Sequence, residues 1–350
     1  MERDTEIYWE VDMKLFEEYT DGKIKLKNHL VMPPMCMYQC KKEDGVPTDF
    51  HVAHYGARAI GQVGMIIVEA TGVMENGRIT DNCLGIWNDE QLEGHKRIVS
   101  SIKNNGSYAA IQLNHAGRKS ETSGLRHIGP SEVEYNDKEI DYEEMTLEDI
   151  KEVVLAFKDA AKRADLAGYD GIEIHAAHGY LIHQFISPLA NKRKDKYGED
   201  RFLLLKEIVS AIKEVWPRKK ALWMRISATD YHEDGIKVED WIDFFNENKD
   251  IVEFVHVSAG AVVNVPIKVY PGYMLQFAKR IKEETGYKTI GVGKIKTLEL
   301  SSYALEEGAC DLVAIGRELL KNPNLYIDFV EERGKGEIPF YYKRAYRQLD

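Results

Sequence analysis

The chain has 350 residues, enough for one large α/β domain or two ordinary ones, and 44% of them are hydrophobic. Its formal net charge is −11, with lysine and arginine mixed among the acidic residues, which argues against nucleic acid or an anionic membrane surface as a partner. The charged amino terminus lacks the apolar segment of a signal peptide, and no apolar run is long enough to span a membrane. We therefore expect a soluble, cytoplasmic protein.

The cysteines do not indicate a metal centre. Cys36 and Cys40 have the spacing of half a metal site, but Cys83 and Cys310 do not form a matching second pair. We therefore expect neither zinc nor an iron–sulfur cluster. A disulfide framework is not expected in a chain of this size.

Eight short apolar, β-rich runs recur along the chain. They are His29–Met35, Met65–Ala70, Tyr108–His115, Gly171–Ala177, Leu222–Ser227, Phe254–Gly260, Thr289–Lys294 and Leu312–Arg317. Helical patterns lie between them, at Phe50–Gly61, Asp89–Ile102, Leu147–Ala167, Phe202–Val215, Val238–Phe245, Met274–Glu284 and Leu298–Glu307. Eight strand–helix units favour a single closed (β/α)8 barrel over an open doubly wound sheet, because closure leaves no exposed strand edge.

Two segments exceed a minimal barrel. Asp21–Asn28 alternates lysine with apolar residues, which predicts a short hairpin under the barrel. Gly117–Met145 is long, polar and aperiodic, and it follows the third strand, so we expect it to form a lid over the carboxyl face. The domain prediction is one domain over residues 1–350, with a core at about 14–335 and a tail at 336–350.

The carboxyl end of the fourth strand carries the strongest functional signal. An apolar strand leads directly into His175, His178 and Tyr180, and strand ends of this kind face the ligand in barrel enzymes. A pair of imidazole donors for a substrate oxygen is the favoured interpretation. Two core histidines, or two of three metal ligands, are the alternatives, and the only acidic residues nearby are Glu173 and Glu69.

The last two strands indicate a phosphate site. Gly291 and Gly293 close the seventh strand, and Gly316-Arg317 closes the eighth, although ordinary strand–helix turns can have the same composition. Arg225 lies in a buried apolar strand and needs an anion or carbonyl acceptors there. The other strand-end residues are polar but not anionic, which suits a ligand of mixed aromatic and hydrogen-bonding character such as an isoalloxazine ring.

Taken together, these strand ends resemble the Old Yellow Enzyme family of FMN-dependent ene-reductases, from about Lys14 to Tyr346. The bacterial subclass called thermophilic-like is recognised by Pro-Met-Cys-Met-Tyr at residues 34–38. Other matching segments are His54-Tyr55, Arg58–Gly61, Gly77–Asp81, Gln112-Leu113, His115–Lys119, His175–Leu181, Asn191–Arg193, Tyr270–Tyr273 and Gly316–Leu319. Their order and number carry the resemblance.

The resemblance implies FMN on the strand ends. Residues that would line or hold it are Pro34, Met35, Cys36 and Ala70 at the flavin, Gln112 and Arg225 at its pyrimidine edge, and Gly293, Gly316 and Arg317 at the phosphate. Arg225 would stabilise the anionic reduced flavin through its charge. Cys36 would tune the flavin potential rather than act as a nucleophile, and its simpler alternative is a small buried hydrophobe.

The resemblance also implies a substrate site for activated alkenes: α,β-unsaturated ketones and aldehydes, maleimides and nitroalkenes. His175 and His178 would bind the carbonyl or nitro oxygen, Tyr180 would protonate the α-carbon as general acid, and Tyr38 would add a second hydroxyl. NADPH or NADH would be the reductant. Arg344 would enter the site of a neighbouring subunit, which implies a homodimer or homotetramer.

Departures from the family pattern leave the substrate range open. The loop after Tyr197-Gly198 is shortened, and Ser258-Ala259-Gly260 replaces the usual Ser-Ser-Gly. Two competing functions stay open: a metal-dependent barrel hydrolase that uses His175 and His178, and a non-catalytic flavin-binding redox sensor in which Cys36 reports oxidation. The sensor is disfavoured by Tyr180, since a sensor needs no proton donor.

Overall fold

The computed structural model describes residues 13–134, 141–333 and 337–346. Within them, eight parallel strands form a closed barrel in chain order, and the last strand pairs with the first through Val313 and Leu30. The strands are β1 (Leu30–Met32), β2 (Met65–Gly72), β3 (Tyr108–Asn114), β4 (Gly171–Ala176), β5 (Ala221–Ser227), β6 (Phe254–Ser258), β7 (Lys288–Gly291) and β8 (Leu312–Ala314). The predicted (β/α)8 barrel is confirmed. β1 ends earlier than predicted because Pro33 and Pro34 have no N–H to donate to the ladder.

Helices cover the outside of the barrel. They are α1 (Asp49–Ile60), α2 (Leu92–Lys103), α3 (Leu147–Ala167), α4 (Leu181–Ile186), α5 (Lys196–Glu199), α6 (Leu203–Lys213), α7 (Val238–Glu247), α8 (Leu275–Thr285), α9 (Leu298–Glu306), α10 (Arg317–Lys321) and α11 (Leu325–Arg333). At the start of α3, the Thr146 hydroxyl accepts from the Asp149 N–H at 3.1 Å, and the Asp149 carboxylate accepts from the Thr146 N–H at 2.8 Å. This capping box fixes where the helix begins. Gly168, with φ at +91°, ends it.

The hydrophobic core has two layers, one inside the barrel and one between the barrel and its helices. Successive side chains of a strand point to opposite faces, so strands such as β1 and β5 supply both layers. The inner layer includes Met65 and Trp223 and extends to Ile24 and Leu26. These last two belong to an antiparallel hairpin of Tyr19–Asp21 and Ile24–Leu26. The interior is therefore a packed core beneath a polar mouth, and not a pore.

The segment predicted to form a lid begins with a short 3-10 turn, Gly117–Lys119, and contains a parallel pair of two-residue strands, Ile128–Gly129 and Glu143–Glu144. Part of it, residues 135–140, lies outside the described residues, as do the amino-terminal residues 1–12 and parts of the predicted tail, 336 and 347–350. In the described part of the chain, no helix is long and apolar enough to cross a membrane.

Candidate active site

His175, His178 and Tyr180 converge at the carboxyl end of β4. The ring centroids of His175 and His178 lie 5.2 Å apart, and those of His175 and Tyr180 lie 4.8 Å apart, both in edge-to-face geometry. His175 is the last inward-facing residue of the strand, whereas His178 follows in the turn with φ at +60°. The structure therefore brings together the two imidazoles and the phenol that the sequence predicted.

The hydrogen bonds of the two imidazoles define how each can meet a ligand. His175 Nδ1 accepts the Ala177 N–H at 3.3 Å, so its proton is on Nε2. His178 Nε2 lies 2.7 Å from the Ser258 hydroxyl. Burial, followed by the charge of Arg225, holds the pKa of each histidine well below its ordinary value. Both are neutral donors rather than cations near neutral pH.

The turn that carries His178 is held from behind by α4. The Gly179 N–H donates to His183 Nδ1 at 2.9 Å, and His183 Nε2 lies 2.9 Å from Asp230 Oδ1. The other carboxylate oxygen of Asp230 accepts the Ser187 hydroxyl at 2.6 Å. His183 and Asp230 are fully buried. This chain of polar contacts, which no local sequence pattern indicates, holds the turn that carries His178.

Lys119 lies on the open side of the same turn. Its Nζ donates to the carbonyl oxygens of His178, at 2.8 Å, and Ala261, and it lies 5.7 Å from the centre of the Tyr180 ring. Burial lowers the pKa of Lys119 to about 8. A cavity of about 570 Å³ opens here, lined by Tyr38, Tyr180 and Lys119 together with residues of the predicted lid segment. This cavity is large enough for a small organic ligand.

A second cavity, of about 170 Å³, extends over the ends of β1, β7 and β8. Of the predicted cofactor residues, it is lined by Pro34, Met35, Arg225, Gly316 and Arg317. The Nε of Arg225 is buried and has no partner among the described residues. A Cβ at Gly316 would lie 3.0 Å from the Met35 sulfur, so the lack of a side chain keeps this space open. Arg317 is the first residue of α10, where helix N–H groups point outward.

Gly293 has a role in packing as well as in the predicted phosphate site. It follows β7 with φ at +136°, a conformation that other residues rarely adopt. A Cβ there would lie 2.9 Å from the Met274 backbone nitrogen. The neighbouring residues Val292 and Lys294 line the second cavity. The turn at Gly293 thus approaches the predicted phosphate site through its backbone.

Beneath the mouth, Gln112 donates to a buried carboxylate, Glu173, through Nε2 at 2.8 Å. Glu173 also accepts from Trp223 Nε1 and His256 Nδ1, each at 2.7 Å. From the sequence alone Glu173 is only a weak candidate metal ligand, and no sequence pattern indicates His256. A carboxylate therefore lies one layer beneath strand ends that are themselves polar but not anionic. Glu173 lies two positions before His175 and so shares its inward face, which was the available signal.

The loop after β1 carries Cys36 and Tyr38 and is held by Glu69. The Met37 N–H donates to Glu69 Oε1 at 2.9 Å. Tyr38 has φ at +54°, and its exposed ring lines the larger cavity. Burial raises the pKa of Tyr38 to about 12. The loop thus lies between the two cavities.

Cys36 is half-buried and hydrogen-bonded to Cys83, a contact that the sequence did not predict. The Thr80 N–H and hydroxyl lie 3.3 and 3.5 Å from the Cys83 sulfur. Hydrogen bonding to the Cys36 thiol and to these groups lowers the pKa of Cys83, whereas hydrogen bonding to Cys83 and burial raise the pKa of Cys36. The backbone of Ala70, also predicted at the flavin, contacts Cys36 as well.

The predicted tail residue Arg344 does not belong to this site within one chain. Arg344 is exposed. Its segment is held by two hydrogen bonds: the Tyr341 hydroxyl donates to the Ile60 carbonyl at 3.1 Å, and the Tyr346 hydroxyl donates to Asp328 at 2.6 Å. As for metals, no group of three His, Cys, Asp or Glu side chains in the described part of the chain is arranged to hold an ion.

The comparisons with known proteins agree with this geometry. Residues 14–335 match the model of the NADH:flavin oxidoreductase / NADH oxidase family. The chain belongs to this family. An NADPH dehydrogenase of Geobacillus thermodenitrificans is 48% identical over 338 residues, covering 95% of this chain and 98% of that protein. An NADPH dehydrogenase of Clostridium acetobutylicum is 45% identical over 339 residues, covering 95% and 100%.

Solved structures of the family share the fold. The Old Yellow Enzyme homologue from Zymomonas mobilis has a TM-score of 0.78 at 26% identity, covering 96% of this chain and 100% of that one. Morphinone reductase has a TM-score of 0.80 at 23% identity, covering 97% and 99%. The resemblance to Old Yellow Enzymes is thereby confirmed. The protein is an oxidoreductase of the FMN-dependent NADPH dehydrogenase type.

The residues at the mouth fit FMN. An arginine with a free buried N–H, a glycine-lined cleft and an arginine at a helix start supply what a flavin edge and a phosphate require. Gln112 adds an amide at the same end of the barrel.

Proposed function

We propose that this flavin oxidoreductase reduces activated C=C bonds in α,β-unsaturated ketones and aldehydes, maleimides and nitroalkenes, with NADPH or NADH as the reductant. The observation that carries the proposal is the cluster of His175, His178 and Tyr180 at the end of β4, whose Tyr180 lines a cavity of about 570 Å³. Bound FMN would supply the two-electron chemistry: hydride taken from the nicotinamide and passed from N5 to the alkene.

In this proposal the two histidines bind the substrate oxygen. His175 donates through Nε2, since its Nδ1 accepts a backbone N–H. The Ser258 hydroxyl lies against His178 Nε2, which leaves Nδ1 for the substrate oxygen; Nδ1 carries the proton in the tautomer in which the hydroxyl donates to Nε2. Two neutral donors polarise a carbonyl or nitro group and make the β-carbon electrophilic. Neutral imidazoles also leave the binding of uncharged substrates insensitive to pH around neutrality, because the pKa of each lies well below its ordinary value.

Tyr180 then protonates the α-carbon as the general acid. Lys119 lies 5.7 Å from its ring centre, and a cation there favours the phenolate that forms when the proton leaves. Tyr38 lines the same cavity and adds a hydroxyl near the substrate oxygen. Cys36, next to the cofactor cleft, tunes the flavin potential through its thiol.

The cofactor residues of the proposal form three groups. Pro34, Met35, Cys36 and Ala70 line the flavin, Gln112 and Arg225 bind its pyrimidine edge, and Gly293, Gly316 and Arg317 bind its phosphate. Arg344 extends into the active site of a neighbouring subunit in a homodimer or homotetramer. Arg344 is exposed, and Phe340 of the same segment has 88% of its surface exposed, which supports a contact with a second copy. Light scattering of the wild type and of Arg344→Ala, together with steady-state kinetics, tests this part.

The visible absorption spectrum of the purified protein is the first test, followed by bleaching with NADPH and reoxidation by cyclohexenone. Replacing both His175 and His178 with alanine should abolish enone turnover and phenol binding while FMN stays bound. Tyr180→Phe should slow enone turnover by about 10²–10⁴-fold without slowing reduction by NADPH. Tyr270→Phe, a change at an exposed tyrosine, is the matched control. Undiminished enone turnover in the double histidine variant would overturn the assigned roles.

A further inference from the structure

Glu173 is the centre of a buried hydrogen-bond cluster under the cofactor cleft. Its Oε1 accepts from Gln112, and its Oε2 accepts from both Trp223 and His256, at 2.7–2.8 Å. All four side chains are at most 1% exposed. Strand register explains the contact, because Gln112 and Trp223 are the direct neighbours of Glu173 on β3 and β5. This position in the barrel thus has an acceptor surrounded by donors.

The three N–H donors around Glu173 fit an ionised carboxylate, which only accepts hydrogen bonds. Burial opposes its ionisation, but His256, Arg225 and the Trp223 N–H hold its pKa below its ordinary value. His256 is itself kept neutral, since burial and Arg225 lower its pKa. Arg225 lies two positions after Trp223, the neighbour of Glu173 on β5, and is the direct register partner of His175 on β4 and of His256 on β6. The negative charge of Glu173 therefore partly offsets the positive charge of Arg225.

The carboxylate also decides which atom Gln112 presents upward. An ionised carboxylate only accepts hydrogen bonds, so the Gln112 group bound to it must be the NH₂. The amide oxygen of Gln112 is then the atom that remains for a ligand. The pyrimidine edge of a flavin has one N–H donor, at N3, between two carbonyl acceptors. An acceptor from the protein matches N3, whereas an NH₂ group at the same place would not.

We propose that Glu173 is a positioning residue for FMN, with two effects: it fixes the amide of Gln112 as an acceptor for N3–H, and its charge offsets Arg225. This rests on the proposed placement of FMN at the mouth. The second effect disfavours the anionic reduced flavin, so Glu173 holds the flavin midpoint potential below the value that Arg225 alone would give.

Glu173→Gln tests both effects, because it keeps the shape and removes the charge. Its NH₂ must meet a donor: either the Trp223 N–H or, after rotation, Gln112, which then turns its oxygen down. We expect FMN to dissociate about tenfold more readily, as when one buried hydrogen bond is lost. We also expect a more positive midpoint potential. Fluorescence titration of the apoprotein and anaerobic titration against reference dyes measure the two.

Two further variants separate the two effects and keep the proposal testable if Glu173→Gln does not fold. Glu173→Asp keeps the charge but cannot reach Gln112, so FMN affinity should fall while the midpoint potential stays near that of the wild type. Trp223→Phe removes one donor and raises the pKa of Glu173, so Glu173 becomes protonated at a higher pH than in the wild type. As the pH is lowered, the midpoint potential of this variant should therefore rise more than that of the wild type. It supplies the potential measurement if Glu173→Gln does not fold.

The outcomes are distinguishable. An unchanged or more negative midpoint potential in a folded Glu173→Gln protein, with wild-type FMN affinity, overturns the proposal while leaving the flavin enzyme intact. A wild-type protein that takes up no FMN overturns the proposed function instead. A loss of stability alone would not move the potential of the bound flavin upward, so that shift identifies positioning rather than support of the fold.

Discussion

Tyr55 and Glu69 exchange two hydrogen bonds in the interior of the barrel wall. The Tyr55 hydroxyl donates to Glu69 Oε2 at 2.8 Å and accepts the Glu69 backbone N–H at 3.0 Å. The remaining carboxylate oxygen of Glu69 holds the Met37 N–H. A phenol on α1 thus supports a carboxylate on β2, and that carboxylate supports the loop with Cys36 and Tyr38.

Tyr55→Phe should destabilise the protein by about 1–3 kcal/mol, because it leaves a buried carboxylate oxygen and a buried N–H without their partner. Both Tyr55 and Glu69 are at most 1% exposed, so water does not replace the hydroxyl. Urea unfolding measures the change. Tyr303→Phe, at a tyrosine with 60% of its surface exposed, is the control and should leave the unfolding midpoint where it is.

Glu69 also makes a defined contribution to the pH dependence of stability. Burial raises its pKa from 4.5 to about 7 in the folded protein. Between these values the folded state binds more protons than the unfolded state, so this group stabilises at low pH and its contribution falls as the pH rises toward 7. We expect the free energy of unfolding of the wild type, relative to Glu69→Gln, to decrease across this window.

A series of urea unfolding curves over pH measures this difference. Buried histidines such as His54 and His95, whose pKa values burial lowers to about 3 and about 4, act in the opposite direction. They are present in both proteins and cancel in the comparison. A difference between wild type and variant that does not change with pH would contradict the raised pKa of Glu69.

The sequence predicted those parts of the site whose residues lie close together at the end of a single strand. His175, His178 and Tyr180 lie within six positions, so locating the end of β4 is sufficient to bring them together. Arg225 could be predicted because a lone cation in an apolar strand needs an anionic partner or ligand. The barrel itself followed from eight repeats of strand and helix, although the ends of β1, β7 and β8 were placed too far along the chain.

The parts that were missed depend on register between strands or on loops. Glu173 and His256 are 83 positions apart and meet across the barrel interior, which no local pattern describes. Cys83 reaches Cys36 from the loop after β2, where no periodicity fixes the backbone. The support of Gly179 by His183 and Asp230 similarly joins α4 to the loop after β5.

Asp230→Asn tests that support. His183 accepts the Gly179 N–H with Nδ1, so its proton is on Nε2 and is donated to Asp230, whose pKa His183 and Ser187 hold below its ordinary value despite burial. An amide group at 230 can turn its NH₂ toward His183 and force the other tautomer, which breaks the bond to Gly179. The turn with His178 then shifts. We expect kcat/KM for cyclohexenone to fall about 10–100-fold.

FMN affinity should not change in Asp230→Asn, because Asp230 lines neither the predicted flavin cleft nor the predicted phosphate site. Asp89→Asn, at a carboxylate with 85% of its surface exposed, is the matched control. Equal kcat/KM values for Asp230→Asn and Asp89→Asn would show that the turn does not need this support.

Arg317→Gln tests the phosphate site independently of catalysis. Arg317 opens α10 and lines the smaller cavity with Gly316, so its guanidinium and the N–H groups of the helix start can bind one phosphate together. Riboflavin is FMN without that phosphate. In the wild type we expect FMN to bind much more tightly than riboflavin. In Arg317→Gln we expect the ratio of the two affinities to shrink by about 10–100-fold, because a charge-assisted hydrogen bond is lost.

Lys321→Gln is the matched control. Lys321 is exposed on the same helix and forms an ion pair with Glu318, so its replacement should keep the wild-type ratio. A general loosening of the cleft would weaken the binding of FMN and riboflavin alike. An unchanged affinity ratio in Arg317→Gln would therefore show that the phosphate does not bind at α10.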